Sequence, residues 1–387
     1  MNFYLKNRTV KGLLIFGLII SLNTCQESIT HTETAQFAVQ VSVSDTSYVT
    51  KGITQDIKVI GANVQLFSVN YNVSYQAWTD GRGIAVIDGM VPDYYNISVQ
   101  MTYPEDTVNV YLGFTQEISL VGSMASQKLQ GSGDTVSLIL KPVPRVSLIL
   151  SEIYYNGALP PPGYYFHDQF TEIYNNSAVV EYLDNYVIGN SVYGYRDDPE
   201  FVHFDHLYKF PGNGTDYPVE PGQIKLIAQD AINHLEYNEN SLDLSNVDFE
   251  YYNRLSNDVD NPFVINMIQV HHEFGIDFLY SVKNDAIVLA KLEPDDVLTY
   301  DEKGHILVPK AKIVDGVEYK EDLTNYEFKR LSDDIDAGLT GGMQMYQGKS
   351  IARKVFKVID GQNILMDNNN SSLDFRVQLR PTPGSTD

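Results

Sequence analysis

Short β-branched or alternating runs, separated by turn residues, constrain the fold of this chain of 387 residues more than any other feature. Long amphipathic helical patterns are missing from the sequence. We therefore expect an all-β fold built from β-sandwiches. The runs that predict strands are residues 37–43, 63–69, 136–140, 146–150, 223–228 and 286–292.

The charge balance restricts the partners of the protein. The chain has 27 Lys and Arg against 50 Asp and Glu, a formal net charge of −23 at pH 7. An acidic surface argues against nucleic acid as a partner, because phosphate binding needs clustered basic side chains. The 27 tyrosines are expected mainly on sheet faces and edges, although an exposed cluster of them would suit carbohydrate or protein contact.

The first residues of the chain predict an export signal. Three basic residues precede an apolar stretch over residues 12–22, which has the length of a signal core and is too short to span a bilayer as a mature helix. We expect residues 1–24 to form a lipoprotein signal peptide. The polar residues 25–35 then predict a flexible tether.

Cys25 is the single cysteine of the chain and ends the sequence LNTC at residues 22–25. This run resembles a lipobox, in which the cysteine is acylated and anchors the protein to a membrane. Thr24 replaces the usual Gly or Ala, so a cleaved signal with an incidental cysteine and an uncleaved anchor stay as alternatives. We expect a lipid-anchored outer-membrane protein that faces the cell surface.

Residues 36–142 predict a first domain. Its motifs are GANV at 61–64, TDGRG at 79–83 and VPDYYNISV at 91–99, and the Gly-containing turns between them are typical of β-hairpins. This order resembles the carboxypeptidase regulatory-like, or transthyretin-like, family. The resemblance implies a small prealbumin-like β-sandwich without catalysis. Pro142 and Pro144 interrupt strand structure after it and predict a domain boundary.

Residues 146–387 predict a second domain. This region resembles a lamin-tail domain, which implies an immunoglobulin-like β-sandwich with Ile173 facing its core. Two long segments, about 229–272 and 293–347, interrupt the pattern, and we treat them as insertions. The motifs are SEIYYNG at 151–157, FTEIYNNS at 170–177, VEYLD at 180–184, PVEPGQIKLIA at 218–228, GKSIAR at 348–353 and PTPG at 381–384.

With its insertions, the second domain resembles a family of uncharacterised exported lipoproteins. The resemblance rests on IAQDA at 227–231, SLDLSN at 241–246, DNP at 260–262 and DNNNSSLDF at 367–375. It implies a cell-surface protein that works beside a TonB-dependent outer-membrane transporter, and it supplies no established activity.

Histidines and carboxylates are the candidate metal ligands. The sequence VHFDHL contains His203, and HHE contains His271 and His272. Because neighbouring strand residues point to opposite faces, a transition-metal site would need one residue from each cluster, such as His203 and His272 with Asp258 or Asp260. The alternative is that these histidines are polar loop residues without a ligand.

Acidic loops offer oxygen ligands for calcium at residues 258–261, 333–336 and 367–370, although none of them matches an EF-hand. We expect no cofactor, and Ca²⁺ in one of these loops is the alternative. No GxSxG sequence and no usable catalytic cysteine is present, so we expect the protein not to be an enzyme.

The expected role is ligand binding as an accessory component of an outer-membrane transporter, with the inserted loops as the recognition surface. The residues predicted to contact a ligand are Tyr251, Tyr252, His271 and His272. An adhesive or structural surface protein is the second hypothesis. A metal-dependent hydrolase is the third, and it would require activity that is lost with a chelator and with His203→Ala.

Replacing Cys25 with Ala tests the anchor. We expect most of the protein to move from the membrane fraction to the soluble fraction, because a lipid chain that cannot be attached cannot hold the protein to a bilayer. Cell fractionation and incorporation of labelled fatty acid measure this. A variant that stays in the membrane fraction would instead indicate an uncleaved anchor.

Overall fold

Strands make up most of the regular structure, and the predicted all-β sandwich fold is confirmed. The computed structural model describes residues 37–45, 57–103, 118–131, 133–142, 148–359 and 361–386. Cys25, the predicted signal peptide and the predicted tether lie outside them. The first eight strands are β1 Phe37–Asp45, β2 Ile57–Lys58, β3 Asn63–Ser68, β4 Val73–Trp78, β5 Ile84–Met90, β6 Asp93–Tyr103, β7 Ile118–Leu129 and β8 Thr135–Pro142.

The later strands carry the second half of the chain. They are β9 Leu148–Tyr154, β10 Phe170–Asn175, β11 Glu181–Tyr182, β12 Tyr186–Ser191, β13 Phe201–Lys209, β14 Pro218–Val219, β15 Ile224–Ala228, β16 Phe249–Glu250, β17 Ile265–Asn266, β18 Ile268–His272, β19 Asn284–Lys291, β20 Thr299–Tyr300, β21 Ile306–Pro309, β22 Ile313–Lys320, β23 Thr340–Gly341, β24 Ser350–Arg353, β25 Val355–Ile359, β26 Gln362–Leu365 and β27 Phe375–Gln378. A short helix, Ser371–Asp374, precedes β27.

The first sheet has the strand order β2-β1-β8-β7-β6-β3-β4, with β5 paired to β1. Its strands alternate between buried and partly exposed residues, as a strand with one covered face does. Val64 and Leu66 of β3 and Ile97 and Val99 of β6 point into the same core. The sheet ends at Pro142 and β9 begins at Leu148, and the predicted division into two domains there stays a prediction.

Two further sheets pack face to face. One has the order β17-β16-β15-β10-β9-β24-β27, and the other has β20-β21-β13-β12-β19-β22-β23 with β18 on β13. Ile173 is fully buried between them, as predicted. The shared core is Leu148, Leu150, Ile153, Ile173, Ile227 and Ile351 of the one sheet against Tyr186, Ile188, Tyr208, Ile287, Leu289, Val317 and Tyr319 of the other.

The two inserted segments supply strands β16–β18 and β20–β23 of these sheets, and other parts of them cover the outer faces of the sheets. Every residue of β9, β10 and β12 is buried, so these strands do not alternate between an inner and a solvent face. Leu244 of the first insertion packs with Phe170 on one outer face. Leu331 and Ile335 of the second insertion pack with Val288 on the other. The insertions are therefore part of the folded core.

Two buried glutamates fasten the C-terminal segment to the middle of the second sheet. Glu152 accepts hydrogen bonds from Thr382 N at 3.1 Å and Thr382 Oγ1 at 2.8 Å, and Ser350 Oγ donates to the same carboxylate. Glu172 accepts from Gly384 N at 2.6 Å. Burial raises the pKa of both carboxyl groups, and the mutual repulsion raises that of Glu172 further. The motifs at 151–157 and 381–384 thus meet because Glu152 and Thr382, 230 residues apart in the sequence, are hydrogen-bonded.

Arg353 is the central buried cation of the sandwich. Its guanidinium donates to both carboxylate oxygens of Asp315, at 2.8 and 2.7 Å, and Nε donates to Leu150 O at 2.8 Å. Asp367 and Asp374 each lie 3.3 Å from Nη1. The arginine therefore joins β24 to β22, to β9 and to the segment before β27.

Replacing Arg353 with Met leaves several carboxylates buried without their cation. We expect the free energy of unfolding to fall by about 3–5 kcal/mol, the usual cost of removing one partner from a buried ion pair. Urea denaturation measures this. Arg82→Ala is the control, because the Arg82–Asp80 pair is exposed and its loss is expected to change stability little. Equal stability of the two variants would contradict the prediction.

Candidate functional site

A cluster of tyrosines lies where the connection between β9 and β10 meets both insertions. Tyr164 is 74% exposed, and its ring lies 4.6 Å from the ring of Tyr346 in the second insertion. Tyr165 stacks on Tyr237 of the first insertion, with ring centres 5.9 Å apart and planes 4° from parallel. We call Tyr164, Tyr165, Tyr237 and Tyr346 the tyrosine surface.

Backbone hydrogen bonds fix the tyrosine surface in place. Asn156 O accepts from Tyr346 N at 2.8 Å, and Asn156 Oδ1 accepts from Gln347 N at 2.7 Å. From the first insertion, Asn238 Nδ2 donates to Leu159 O at 3.1 Å. The rings are thus positioned by the folded protein, which lowers the ordering cost of binding a ligand there.

His167 and three aspartates lie beside this surface, and we call them the His167 cluster. His167 Nδ1 is 2.8 Å from Asp277 Oδ2 and 3.6 Å from Asp230 Oδ2, and its ring is 5.7 Å from that of Tyr165. The carboxylates of Asp230 and Asp277 raise the pKa of His167 to about 10. Burial and the neighbouring Asp277 raise the pKa of Asp258 to about 7.

A second cluster lies on the third sheet where one edge of β13 changes its partner strand. β12 pairs with the other edge, while β21 pairs with residues 201–204 and β18 with residues 206–209. Asp205 lies between these two pairings, next to His305 before β21 and Glu273 after β18. Glu273 N donates to Asp205 O at 3.1 Å, and Asp301 N donates to His305 O at 3.0 Å. We call Asp301, His305, Asp205 and Glu273 the His305 cluster.

The side chains of the His305 cluster converge. Asp301 Oδ2 is 2.8 Å from His305 Nδ1 and 2.9 Å from His203 Nδ1. His305 Nε2 faces Asp205 Oδ1 at 3.9 Å and Glu273 Oε2 at 4.0 Å. Burial and the neighbouring Glu273 carboxylate raise the pKa of Asp205 to about 6. Imidazole nitrogen and carboxylate oxygen are ligands for divalent cations.

The structure separates the residues that were predicted to contact a ligand. Tyr251 is a core residue that is only 1% exposed, and its OH group lies 3.0 Å from Tyr280 OH. This burial corrects the prediction for Tyr251, which follows β16 directly into the space between the two sheets. Tyr252, His271 and His272 are half-buried, and whether they contact a ligand stays a prediction.

The predicted metal-binding histidines lie apart in the sheet. His203 is held by Asp198 and Asp301, and its register partner on β21 is Leu307. His272 instead pairs with His206, and its Nδ1 lies 3.0 Å from Tyr208 OH. The strand register therefore gives His203 and His272 different neighbours.

The predicted metal-binding aspartates lie elsewhere again. Asp258 belongs to the His167 cluster, while Asp260 accepts a hydrogen bond from Asn266 Nδ2 at 2.9 Å. The clusters of possible metal ligands among the described residues do not combine His203, His272, Asp258 and Asp260. The prediction that these four form one site is corrected.

Sequence reasoning missed the residues that the structure brings together. His305 and Asp301 stand in the second insertion without a recognisable metal motif, and only the pairing of β21 with β13 shows their relation to Asp205. Tyr164 follows three consecutive prolines, a signal for a rigid exposed loop that was available in the sequence.

The fold and its sites define a class of β-sandwich protein whose long insertions contribute residues to the tyrosine surface, to the His167 cluster and to the His305 cluster. Residues 220–382 match the model of a family of proteins of unknown function, DUF4876. No curated protein matches the chain significantly. This part of the chain is therefore similar to a family whose model carries no described activity.

A crystal structure of a DUF4876 family protein from Bacteroides thetaiotaomicron VPI-5482 is similar to this chain. Its TM-score is 0.56 at 25% sequence identity, over 89% of this chain and 96% of that chain. A candidate adhesin from Bacteroides ovatus ATCC 8483 has a TM-score of 0.18 at 10% identity, over 71% of this chain and 84% of that one. The second likeness is too low to support an argument.

No helix among the described residues is both long enough and apolar enough to cross a membrane.

The His167 cluster predicts a pH-dependent stabilisation. The folded-state pKa of His167 is about 10, against an ordinary value of 6.5. The stabilisation by the charged imidazole is therefore complete below pH 6.5 and disappears as the pH rises to 10. We expect the difference in Tm between the wild type and His167→Gln to be largest near pH 6.5 and to shrink towards pH 10, measured by calorimetry.

The control for this experiment is Arg82→Ala, because its ion pair with Asp80 is exposed and involves no histidine. A difference in Tm between the wild type and His167→Gln that stays constant over this range would contradict the assignment of a charged His167.

Proposed function

We propose that this protein is a non-catalytic binding protein of the cell surface and that the tyrosine surface is where it contacts its ligand. The observation that carries the proposal is the arrangement of Tyr164, Tyr165, Tyr237 and Tyr346, which come from three segments far apart in the sequence. Tyr164 and Tyr237 are 74% and 60% exposed although their neighbours hold them in place.

Exposed, ordered tyrosines suit recognition for two physical reasons. Each ring offers a flat apolar face and a hydroxyl group, and fixing a tyrosine costs little conformational entropy because it has two side-chain torsions. The loops that carry the rings stand on a rigid sandwich, which is where binding residues concentrate in proteins. The two insertions each provide one of the four tyrosines, in agreement with a recognition role for them.

The negative charge of the chain restricts the chemical class of the ligand. With a formal net charge of −23 and the aspartates of the His167 cluster beside Tyr165, a polyanion would be repelled. Sugar rings and neutral or basic peptides have the flat or cationic groups that tyrosine faces attract. We infer a ligand without strong negative charge.

The proposed setting is the outer membrane, with a lipid on Cys25 as the anchor and a TonB-dependent transporter as the partner. The resemblance of residues 146–387 to lamin-tail lipoproteins and of residues 36–142 to carboxypeptidase regulatory-like domains supports this setting. In the alternative function, adhesion, the same tyrosine surface binds a matrix polymer or a host protein, and no transporter takes part.

A double variant, Tyr164→Ala with Tyr237→Ala, tests the tyrosine surface. We expect it to lose at least about tenfold in binding while its Tm stays near that of the wild type, since two exposed aromatic anchors supply more than about 1.4 kcal/mol. The lipidated protein is purified from native membranes in mild detergent and retained proteins are identified by mass spectrometry. The same variants are applied to an array of neutral glycans and matrix proteins.

Tyr71→Ala is the matched control, because Tyr71 is 56% exposed and lies in the turn between β3 and β4, far along the sequence from the tyrosine surface. Capture of a TonB-dependent barrel by the wild type and the control, but not by the double variant, supports the transporter role. Array binding without a barrel favours adhesion. Equal capture by all three proteins would contradict the proposed site.

A further inference from the structure

We propose that the His305 cluster is a binding site for one divalent transition-metal cation, with His305 Nε2 and the carboxylates of Asp205 and Glu273 as its ligands. The site is separate from the tyrosine surface, and none of its three ligand atoms is needed for the binding role proposed above.

The proposal rests first on three electron-pair donors that face one another. Asp301, a carboxylate, accepts the Nδ1 proton of His305 at 2.8 Å. In the tautomer that carries its proton on Nδ1, the ring presents the lone pair of Nε2. That lone pair points to Asp205 at 3.9 Å and to Glu273 at 4.0 Å, both too long for hydrogen bonds. A cation between the three atoms removes the repulsion among them.

The spacing of the three atoms suits a metal ion. With bonds of about 2.1 Å and tetrahedral angles, two ligand atoms on one Zn²⁺ lie about 3.4 Å apart. The observed 3.9 and 4.0 Å contract to that value with small side-chain rotations. Because β21, β13 and β18 are paired in one sheet, the backbone already holds the three ligands in register.

The surroundings of His305 resemble the support of a metal ligand. Metal-binding histidines usually donate their second ring N–H group to a carboxylate, which fixes the ring orientation and increases its basicity. Asp301 is the carboxylate that accepts from His305. Its Oδ2 atom also lies 2.9 Å from Nδ1 of His203, and Nε2 of His203 lies 3.0 Å from Asp198 Oδ2. The His305 side chain is only 10% exposed, so its orientation is fixed.

His271 supplies an independent observation. It lies two residues before Glu273, and its Nε2 atom is buried and has no hydrogen-bond partner. A buried, unpaired imidazole nitrogen is costly, and coordination of a metal beside Glu273 would satisfy it. His271 lies outside the group of ligand atoms that are within 4.8 Å of one another, so its ring must turn towards the cation to become a fourth ligand.

The ligand types indicate the class of metal. Imidazole nitrogen with carboxylate oxygen suits zinc and its first-row neighbours, whereas Ca²⁺ and Mg²⁺ sites are built from oxygen ligands. The His167 cluster differs, because His167 Nδ1 contacts Asp277 directly at 2.8 Å and the charged imidazole itself compensates the carboxylate. It does not leave three donors facing one another.

Calorimetric titration of the full-length protein with ZnCl₂, after removal of metal with a chelator, tests the site. We expect one Zn²⁺ per chain for the wild type and no saturable binding for Glu273→Gln or Asp205→Asn. Asp301 is a positioning residue, and we expect Asp301→Asn to weaken binding about 10- to 100-fold while the folded variant still binds one Zn²⁺ per chain. The matched control, Asp277→Asn in the His167 cluster, should bind like the wild type.

Two results would overturn the proposal: absence of saturable Zn²⁺ binding by the folded wild type, or equal affinity of the wild type, Glu273→Gln and Asp205→Asn. X-ray absorption of the zinc-loaded wild type gives a measurement that does not depend on how the variants fold. Imidazole and oxygen neighbours around zinc support the site, whereas an all-oxygen shell contradicts it. Loss of glycan or transporter binding in the tyrosine double variant leaves the zinc titration unaffected.

Discussion

The two-sheet sandwich depends on the ion pairs and hydrogen bonds of the buried Arg353 guanidinium. Taking a guanidinium out of water is unfavourable unless carboxylates and carbonyl oxygens replace the water. Here Asp315, Asp367 and Asp374 supply the negative charge, and Leu150 O and Met366 O accept further hydrogen bonds. These groups belong to four different segments, so each segment must be in its native place before the charge is compensated.

A buried carboxylate also needs polar groups that replace its water, and this need explains how an acidic chain buries so many of its carboxylates. Glu152 and Glu172 lie in the second sheet and accept hydrogen bonds from the backbone and hydroxyl groups of residues 382–384. Their raised pKa values show that burial is only partly compensated. The C-terminal segment is therefore held by donors that these carboxylates need, as well as by apolar packing.

The insertions connect this architecture to the proposed functions. Through Leu244, Leu331 and Ile335 they pack on the outer faces of the second and third sheets. From that position they contribute Tyr237 and Tyr346 to the tyrosine surface. The first insertion and the strand pairing it carries also bring Glu273 beside Asp205. A surface for binding and a site for a metal thus both derive from segments that complete the core.

The sequence by itself determined the all-β class, the positions of β1, β3, β8, β9, β15 and β19 and the burial of Ile173, because strand formation follows local residue type and period-two patterning. It also identified the motifs that contain Glu152, Glu172 and Arg353, but not their contacts. Only the tertiary structure decided that Tyr251 is buried and that Asp205 meets His305 and Glu273. The physical reason is strand register: a shift of one residue reverses every side chain, and it is set by core packing between distant segments.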